Sequence, residues 1–487
     1  MKLVIAEKPS VAMALASVLG ARTRKDGYVE GNGYIVSWCV GHLVGLCDAS
    51  EYDEKYKKWR YEDLPIVPEC WKHRVLEGTK KQFGILKKLM RDSKVDEVIC
   101  ATDAGREGEL IFRLVYEQAG CKKPMKRLWI SSMEEQAIKD GFASLKDGSC
   151  YDSLYQSALC RAKADWLVGI NASRLFSVLY NQNLKVGRVQ TPTLAMIVDR
   201  NQKIKEFTKE KYYMAHIKFD DMDAVTENFQ KKEDADKVAA ECQERMCEVE
   251  KDDVKEKTVR PPKLYDLTTL QREANRMFGY TAQQTLDAVQ EMYEQKLVTY
   301  PRTDSQYLTD EMGESTETLI QMLLGKMPYA EGLEYQPDVS KVLNSKKVSD
   351  HHAIIPTVEV AKADIGKLKE RNCKILYLIS ARVLTATADP YIYESHKCQI
   401  TCNYHTFYLS AKKIKQEGFK SIENKLKQFF GVKSEKEEPE LDIWDGKHYG
   451  PCDSLVSEHF TQPPKQYTDV IFCERKEWIG IEERSSA

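Results

Sequence analysis

Short apolar runs alternate with amphipathic stretches over residues 1–150, which is the pattern of an α/β domain. Residues 2–6 predict a buried strand, and residues 11–19 predict an apolar helix that Pro9 can begin and Gly20 can close. We therefore expect the N-terminal part of the chain to form a sheet covered by helices.

A second strand and helix repeat this order at residues 95–101 and 110–119, with Gly120 as the helix cap. Glu7 follows the first strand, and Asp103 follows the second. In an open α/β sheet, ligands bind at the carboxyl ends of the strands. The two acids could therefore converge on one hard cation such as Mg²⁺, which proteins hold with few carboxylates plus water and phosphate oxygens.

Apolar residues recur at helical spacing over residues 153–180, which predicts one long helix. Arg161 and Asp165 are four residues apart on this helix and share a face, so a surface ion pair is the simplest interpretation. Residues 211–260 alternate polar and apolar positions, which predicts a sheet with one polar face and a helix rich in lysine and glutamate. Strand-like alternation returns at residues 391–411.

Two helices are predicted at residues 266–278 and 281–295, joined by a tight turn at Gly279. An extended stretch over residues 298–305 follows and carries Tyr300. Helix, turn, helix and strand together resemble a helix-turn-helix module.

Tyr300 and Arg302 are two residues apart, so on an extended chain their side chains point to the same side. Pro301 between them lacks an N–H, which suits an edge strand. A tyrosine can attack a phosphodiester, and an arginine can grip the phosphate. Taken alone, a packed ring beside a solvated charge is the simpler interpretation.

Five segments of the sequence favour the catalytic interpretation over the simpler one. They are Glu7-Lys8-Pro9-Ser10, Thr102-Asp103-Ala104-Gly105-Arg106-Glu107-Gly108-Glu109, Val186-Gly187-Arg188-Val189-Gln190-Thr191-Pro192, Thr299-Tyr300-Pro301-Arg302-Thr303-Asp304 and Asp350-His351-His352-Ala353-Ile354-Ile355-Pro356-Thr357. In this order they resemble the metal-binding, DNA-binding and active-site motifs of type IA DNA topoisomerases, specifically the bacterial topoisomerase III branch.

The resemblance implies a multidomain fold of α/β, α and β parts arranged as a ring that opens at the Tyr300 module. The expected parts are a Toprim metal-binding domain at 1–150, a helical gate domain at 151–210, a β-rich arch at 211–265 and 391–487, and a helix-turn-helix-like domain at 266–390. The implied activity is ATP-independent breakage, strand passage and rejoining of DNA through a 5′-phosphotyrosine, relaxing negative supercoils or decatenating.

The resemblance also assigns roles to residues. Catalysis would involve Tyr300, Arg302, Lys8, Glu107, His351 and Arg161. Lys8 would be a second cation at the phosphate, Glu107 a proton donor to the leaving 3′ oxygen, and His351 a hydrogen-bonding partner of the phosphate. Glu7 and Asp103 would hold Mg²⁺.

DNA would contact Gly187, Arg188, Val189, Gln190, Thr191 and Pro192. This segment can equally be a turn before a helix at residues 193–199. Arg174 is a further expected contact. The loop at residues 52–68, which includes Tyr61, mixes aromatic and basic residues and could face DNA or simply be a solvated surface.

Two features depart from the family pattern. Asp103-Ala104-Gly105-Arg106-Glu107 has glycine where the family carries a second aspartate, so we expect a single, weakly held Mg²⁺. Residues 461–469 match a family segment, but residues 470–487 diverge, which predicts a C-terminally truncated copy with an incomplete ring and helical domain. A DNA-binding remnant, or another enzyme with the same acidic module such as a primase or nuclease, remains as an alternative.

Composition excludes several other classes of protein but does not by itself indicate this family. The 487 residues carry 73 Lys plus Arg against 75 Asp plus Glu, so any DNA contact must be a local basic track. The 14 cysteines form no C-x-x-C pair, which argues against a zinc ribbon. No apolar run approaches a membrane span and no nucleotide-binding loop is present. We expect a cytoplasmic monomer that acts on single-stranded or negatively supercoiled DNA, with a helicase as a conceivable partner.

Overall fold

The structure is a computed structural model that describes residues 1–333, 335–348, 351–432 and 446–468. The predicted features at Asp350, at Asp469 and over residues 470–487 lie outside the described residues. Within these ranges, no helix is both long and apolar enough to cross a membrane.

The N-terminal region alternates strands and helices. Its elements are β1 (Lys2–Ala6), α1 (Pro9–Leu19), β2 (Thr23–Lys25), β3 (Tyr28–Gly31), β4 (Tyr34–Trp38), β5 (Val44–Leu46), β6 (His73–Val75), α2 (Lys80–Arg91), β7 (Glu97–Ala101), α3 (Arg106–Ala119), β8 (Met125–Arg127), α4 (Glu135–Ala143) and β9 (Lys146–Asp147).

Seven of these strands form one sheet in the order β2-β3-β4-β1-β7-β8-β9. The central strand β1 pairs in parallel with both β4 and β7, so the acids that follow β1 and β7 emerge at the same edge. Both predicted helices are confirmed, and Gly20 and Gly120 end them with φ angles of 76° and 67°. Helix α4 begins at Glu135, and just before it the Ser132 hydroxyl bonds to Glu134.

The rest of the chain contains eight α-helices and seven strands within the described ranges. They are α5 (Asp152–Tyr180), α6 (Gln190–Lys205), β10 (Lys211–Phe219), β11 (Met222–Val225), α7 (Lys232–Cys242), β12 (Cys247–Val259), α8 (Leu267–Phe278), α9 (Ala282–Glu294), α10 (Gly313–Lys326), α11 (Glu370–Ala386), β13 (Tyr391–Cys402), β14 (His405–Gln416), α12 (Phe419–Phe429), β15 (His448–Tyr449) and β16 (Asp453–Phe460).

A second seven-stranded sheet has the order β15-β12-β13-β14-β11-β10-β16. It therefore joins strands from before and after the helices of residues 267–386. Two long antiparallel pairings connect the halves: β12 with β13, and β10 with β16.

The helices α8 and α9 confirm the predicted helix pair, and Gly279 between them has a φ of 70°. The predicted strand around Tyr300 is not regular. Val298 forms an isolated bridge with Pro356, and the Thr299 N–H donates to the Ile355 carbonyl at 3.0 Å. Pro301 has no N–H to donate to a neighbouring strand. Side-chain hydrogen bonds hold this stretch instead, such as the one from the Thr299 hydroxyl to the Ala353 carbonyl at 3.2 Å.

One apolar cluster joins the first sheet to the Tyr300 module. It includes Val4 and Ala6 of β1, Leu270 of α8 and Val289 of α9, all buried, together with Tyr300. The module is thus packed directly against the edge of the sheet where the acids lie.

Candidate active site

Glu7 and Asp103 lie side by side at the carboxyl ends of β1 and β7. The Asp103 N–H donates to Glu7 Oε2 at 3.3 Å. Burial, and then the charge of Asp103, raise the pKa of Glu7 to about 7. Burial also raises the pKa of Asp103. Two neighbouring carboxylates that are half-buried do not readily ionise at the same time. A bound cation would stabilise the doubly ionised pair.

The Tyr300 side chain contacts this pair of acids. Its hydroxyl donates to Asp103 Oδ2 at 3.2 Å, and its ring is 7% exposed. Tyr293 meets the ring edge-on at 5.5 Å. Burial, and then the charges of Asp103 and Glu7, raise the pKa of Tyr300 well above its usual value. The phenol is therefore neutral and must lose its proton as it reacts.

Three of the predicted cations surround the cluster. The charges of Lys8 and Arg302 oppose the rise in the pKa of Glu7 and of Asp103. The pKa of Glu107 is lowered first by its hydrogen bond to His42 and further by the charges of Arg161 and Arg302. Lys8 Nζ lies 3.8 Å from Glu294 Oε1 on α9. Among the described residues, neither Arg302 nor Arg161 makes an ion pair or a side-chain hydrogen bond. Both guanidinium groups are thus available to an anion.

His351 lies against the nucleophile, with its ring centroid 4.3 Å from that of Tyr300. Its Nδ1 is 2.9 Å from the Ser131 hydroxyl, and its Nε2 bonds to the Ala104 carbonyl. Burial lowers the pKa of His351 to about 4, so the ring is neutral at physiological pH. Its neighbour His352 does not share these contacts, since its Nδ1 bonds to the Ala353 carbonyl.

Glu107 has a partner that the sequence reasoning missed. His42 Nε2 lies 2.5 Å from Glu107 Oε1, and this bond lowers the pKa of Glu107. The lowered pKa keeps Glu107 a carboxylate in this arrangement, and its role as proton donor stays a prediction. No local motif around His42 in the sequence indicated this contact, which joins residues 65 positions apart.

Arg127 was also missed. It is 1% exposed, and its Nη1 donates to the carbonyls of Cys100, Thr102 and Leu128 at 2.7–3.2 Å. Its Nη2 donates to the Asp103 carbonyl at 2.7 Å. The guanidinium thereby fixes the backbone that carries the second acid.

The expected DNA segment at residues 187–192 forms the turn into α6, which begins at Gln190 rather than at residue 193. Arg188 Nε bonds to Asp165 Oδ1 at 2.8 Å. The surface ion pair between Arg161 and Asp165, the simplest interpretation of their spacing, does not form; Asp165 pairs with Arg188 instead. Turn and DNA contact remain compatible, because Arg188 is exposed.

Arg174 and Tyr61 occupy different environments. Arg174 is 6% exposed, donates to the Tyr56 carbonyl at 2.9 Å, and stacks on the Trp59 ring at 5.3 Å. These contacts pack the loop against α5, and the expected contact of Arg174 with DNA stays a prediction. Tyr61 is 61% exposed in the same loop. The groove between loop and helix is lined by Lys57, Trp59, Trp166 and Lys185 among others.

The residues present fit a magnesium ion held by few protein ligands. Within the described residues, no three His, Cys, Asp or Glu side chains are arranged to hold a metal ion. Mg²⁺ commonly takes one or two carboxylates and fills its other positions with water and phosphate oxygens. Glu7 and Asp103 supply such a pair.

The shifted pKa of Glu7 gives a stability test. Its folded-state pKa of about 7 exceeds the reference value of 4.5. Below pH 4.5 the carboxyl is protonated in both the folded and the unfolded chain, so its ionisation takes no free energy from folding. The cost grows as pH rises and is complete above pH 7. We expect Glu7→Gln to raise the thermal midpoint of the Mg²⁺-free protein at pH 8 and to change it little at pH 4.5, as measured by circular dichroism. An equal shift at both pH values would contradict this account.

Comparisons with known proteins agree with this geometry. The DNA topoisomerase family matches residues 149–474, and the Toprim domain family matches residues 2–133. The chain is 38% identical to DNA topoisomerase 3 of Staphylococcus haemolyticus, an alignment that covers 100% of this chain and 68% of that protein. It is 43% identical to DNA topoisomerase 3 of Bacillus cereus over 86% of this chain, and spans 59% of that relative's length.

The fold also matches a solved structure. Full-length topoisomerase I from Thermotoga maritima superposes with a TM-score of 0.75 at 24% identity, covering 99% of this chain and 76% of the other. The likeness shows a shared mixed α/β multidomain fold.

Proposed function

Because this chain belongs to the type IA DNA topoisomerase family, we propose that it breaks and rejoins one DNA strand through Tyr300. The oxygen of Tyr300 forms a bond to the scissile phosphorus, and the bond from phosphorus to the 3′ oxygen breaks. The product is a 5′-phosphotyrosine and a free 3′ hydroxyl. Since the new phosphodiester conserves the energy of the old one, rejoining needs no nucleotide.

The observation that carries this proposal is the contact between Tyr300 and Asp103. A buried phenol ionises poorly, so attack requires a base in reach of its proton. Asp103 Oδ2, 3.2 Å away, is placed to accept it. Arg302, Lys8 and Arg161 supply positive charge where the phosphate gains negative charge, the electrostatic work that dominates phosphoryl transfer.

The leaving 3′ oxygen needs a proton. Glu107 is the family's candidate donor, and its short bond to His42 provides a source for that proton. The imidazole of His42 is 28% exposed, so it can exchange protons with solvent. The pair thus serves as acid in cleavage and as base in rejoining.

Glu7 and Asp103 would hold Mg²⁺, which when bound neutralises charge on the carboxylates and on the phosphate. DNA would follow the cations from Arg188 towards the groove lined by Lys57 and Trp59. Single strands bind such tracks through phosphates and through base stacking on aromatic rings. Supercoil strain would drive relaxation or decatenation, with negatively supercoiled DNA as substrate.

Gly105 allows the metal assignment to be tested. Its backbone is extended, and a Cβ added there would meet nothing within 4 Å. We expect Gly105→Asp to lower severalfold the Mg²⁺ concentration needed for half-maximal adduct formation, because a third carboxylate strengthens the site. Gly105→Asn adds similar bulk without charge and should leave that concentration unchanged. An unaltered Mg²⁺ requirement in Gly105→Asp would contradict the assignment.

Denaturing the chain after incubation with single-stranded DNA and Mg²⁺ tests the proposed function. A covalent adduct that maps to Tyr300 by peptide mass spectrometry is the expected result. Binding without an adduct would favour a DNA-binding remnant, and cutting without an adduct would favour a nuclease. A plasmid assay then asks whether negative supercoils are relaxed.

A further inference from the structure

Ser131 lies where two parts of the active site meet. Its backbone carbonyl accepts the Tyr300 N–H at 3.1 Å, and its hydroxyl lies 2.9 Å from His351 Nδ1. A single residue after β8 therefore contacts both the backbone of the nucleophile and the histidine expected near the phosphate. Its neighbour Ser132 bonds to Glu134 instead.

The partners of the imidazole determine where its proton lies. The Ala104 carbonyl can only accept a hydrogen bond, so His351 Nε2 must carry the hydrogen. Because burial keeps the ring neutral, Nδ1 has no proton and accepts from the Ser131 hydroxyl. The ring plane is fixed as well, by Tyr300 on one side and by Trp129, stacked at 6.3 Å with an interplanar angle of 12°.

We propose that Ser131 is a positioning residue that holds His351 in the tautomer with its proton on Nε2. Only this tautomer presents a donor towards the loop of Ala104, next to Asp103, where the scissile phosphate would lie. A phosphate oxygen can then replace the Ala104 carbonyl as acceptor without any proton moving within the ring. Preorganised donors of this kind act without reorganisation during the reaction. The inference rests on the proposed function and deepens it.

The tautomer can be measured directly. In the full chain labelled with ¹⁵N-histidine, long-range ¹H–¹⁵N spectra separate Nδ1 from Nε2, and the signals of His351 are those lost in His351→Gln. We expect a neutral ring protonated on Nε2 in the parent and in Ser131→Thr, which keeps the hydroxyl. Ser131→Ala should show a mixture of tautomers, whereas the matched neighbour variant Ser132→Ala should keep the parent pattern.

Adduct formation supplies the second readout. We expect Ser131→Ala to form adduct about tenfold more slowly, the equivalent of one hydrogen bond, with unchanged affinity for single-stranded DNA. Ser131→Thr should restore most of the rate, and Ser132→Ala should retain it.

Three results would overturn the inference: a parent His351 protonated on Nδ1, a Ser131→Ala variant identical to the parent in both readouts, or an equal loss in Ser132→Ala. If the parent forms no adduct at all, the proposed function fails, while the spectra still decide the role of Ser131.

Discussion

Replacing Tyr300 with phenylalanine is expected to abolish the covalent adduct, lowering its rate of formation by at least about a thousandfold. The ring and its contacts with His351 and Tyr293 remain, but the hydroxyl that donates to Asp103 Oδ2 is removed. The fold should persist, because one hydrogen bond of this kind stabilises the folded state by about 1 kcal/mol. Binding of single-stranded DNA should also persist, since Arg302, Arg188 and Lys8 are untouched.

Tyr293→Phe is the matched control. This tyrosine is buried beside Tyr300 and loses the same hydroxyl, yet it lies outside the proposed chemistry. Adduct should form at close to the parent rate in this variant. If Tyr300→Phe still formed an adduct, or if both variants lost it equally, Tyr300 would not be the nucleophile.

The parts of the site that could be predicted are those fixed by local pattern. Glu7 and Asp103 each follow an apolar strand, and parallel pairing of β1 with β7 brings them together. Gly20 and Gly279 end helices for a reason visible in the sequence, because glycine adopts positive φ without cost. Motif order points to Tyr300 as the nucleophile, which stays a prediction, and its backbone is not the regular strand expected.

The parts that could not be predicted depend on tertiary contacts between distant residues. Arg161 and Asp165 had the spacing of an ion pair, but the aspartate binds Arg188, which lies in the turn before α6. The stacking of Arg174 on Trp59 likewise had no signal in the sequence. His42, Arg127 and Ser131 carry no local signal, because each acts through a partner that folding alone brings within reach.

The same dependence makes Arg127 a position where substitution should cost much stability. Its Nε lies 3.1 Å from Glu109 Oε2, and both side chains are 1% exposed. Removing one partner of a buried pair costs about 3–5 kcal/mol, because the remaining charge stays buried. Arg113 still holds Glu109 at 2.8 Å, so the loss should lie towards the lower end of that range. We expect Arg127→Met to lower the free energy of unfolding by this amount in urea titrations.

Lys126→Met, one position away, separates this effect from general damage to β8. Lys126 forms a solvent-exposed pair with Asp147 at 3.3 Å, which is worth less than about 1 kcal/mol. Arg127→Met should also lose adduct formation at temperatures where it is still folded, because the carbonyls of Thr102 and Asp103 are released and Asp103 no longer meets Tyr300. A folded Arg127→Met variant with parental adduct formation would show that the acidic loop keeps its shape without the guanidinium.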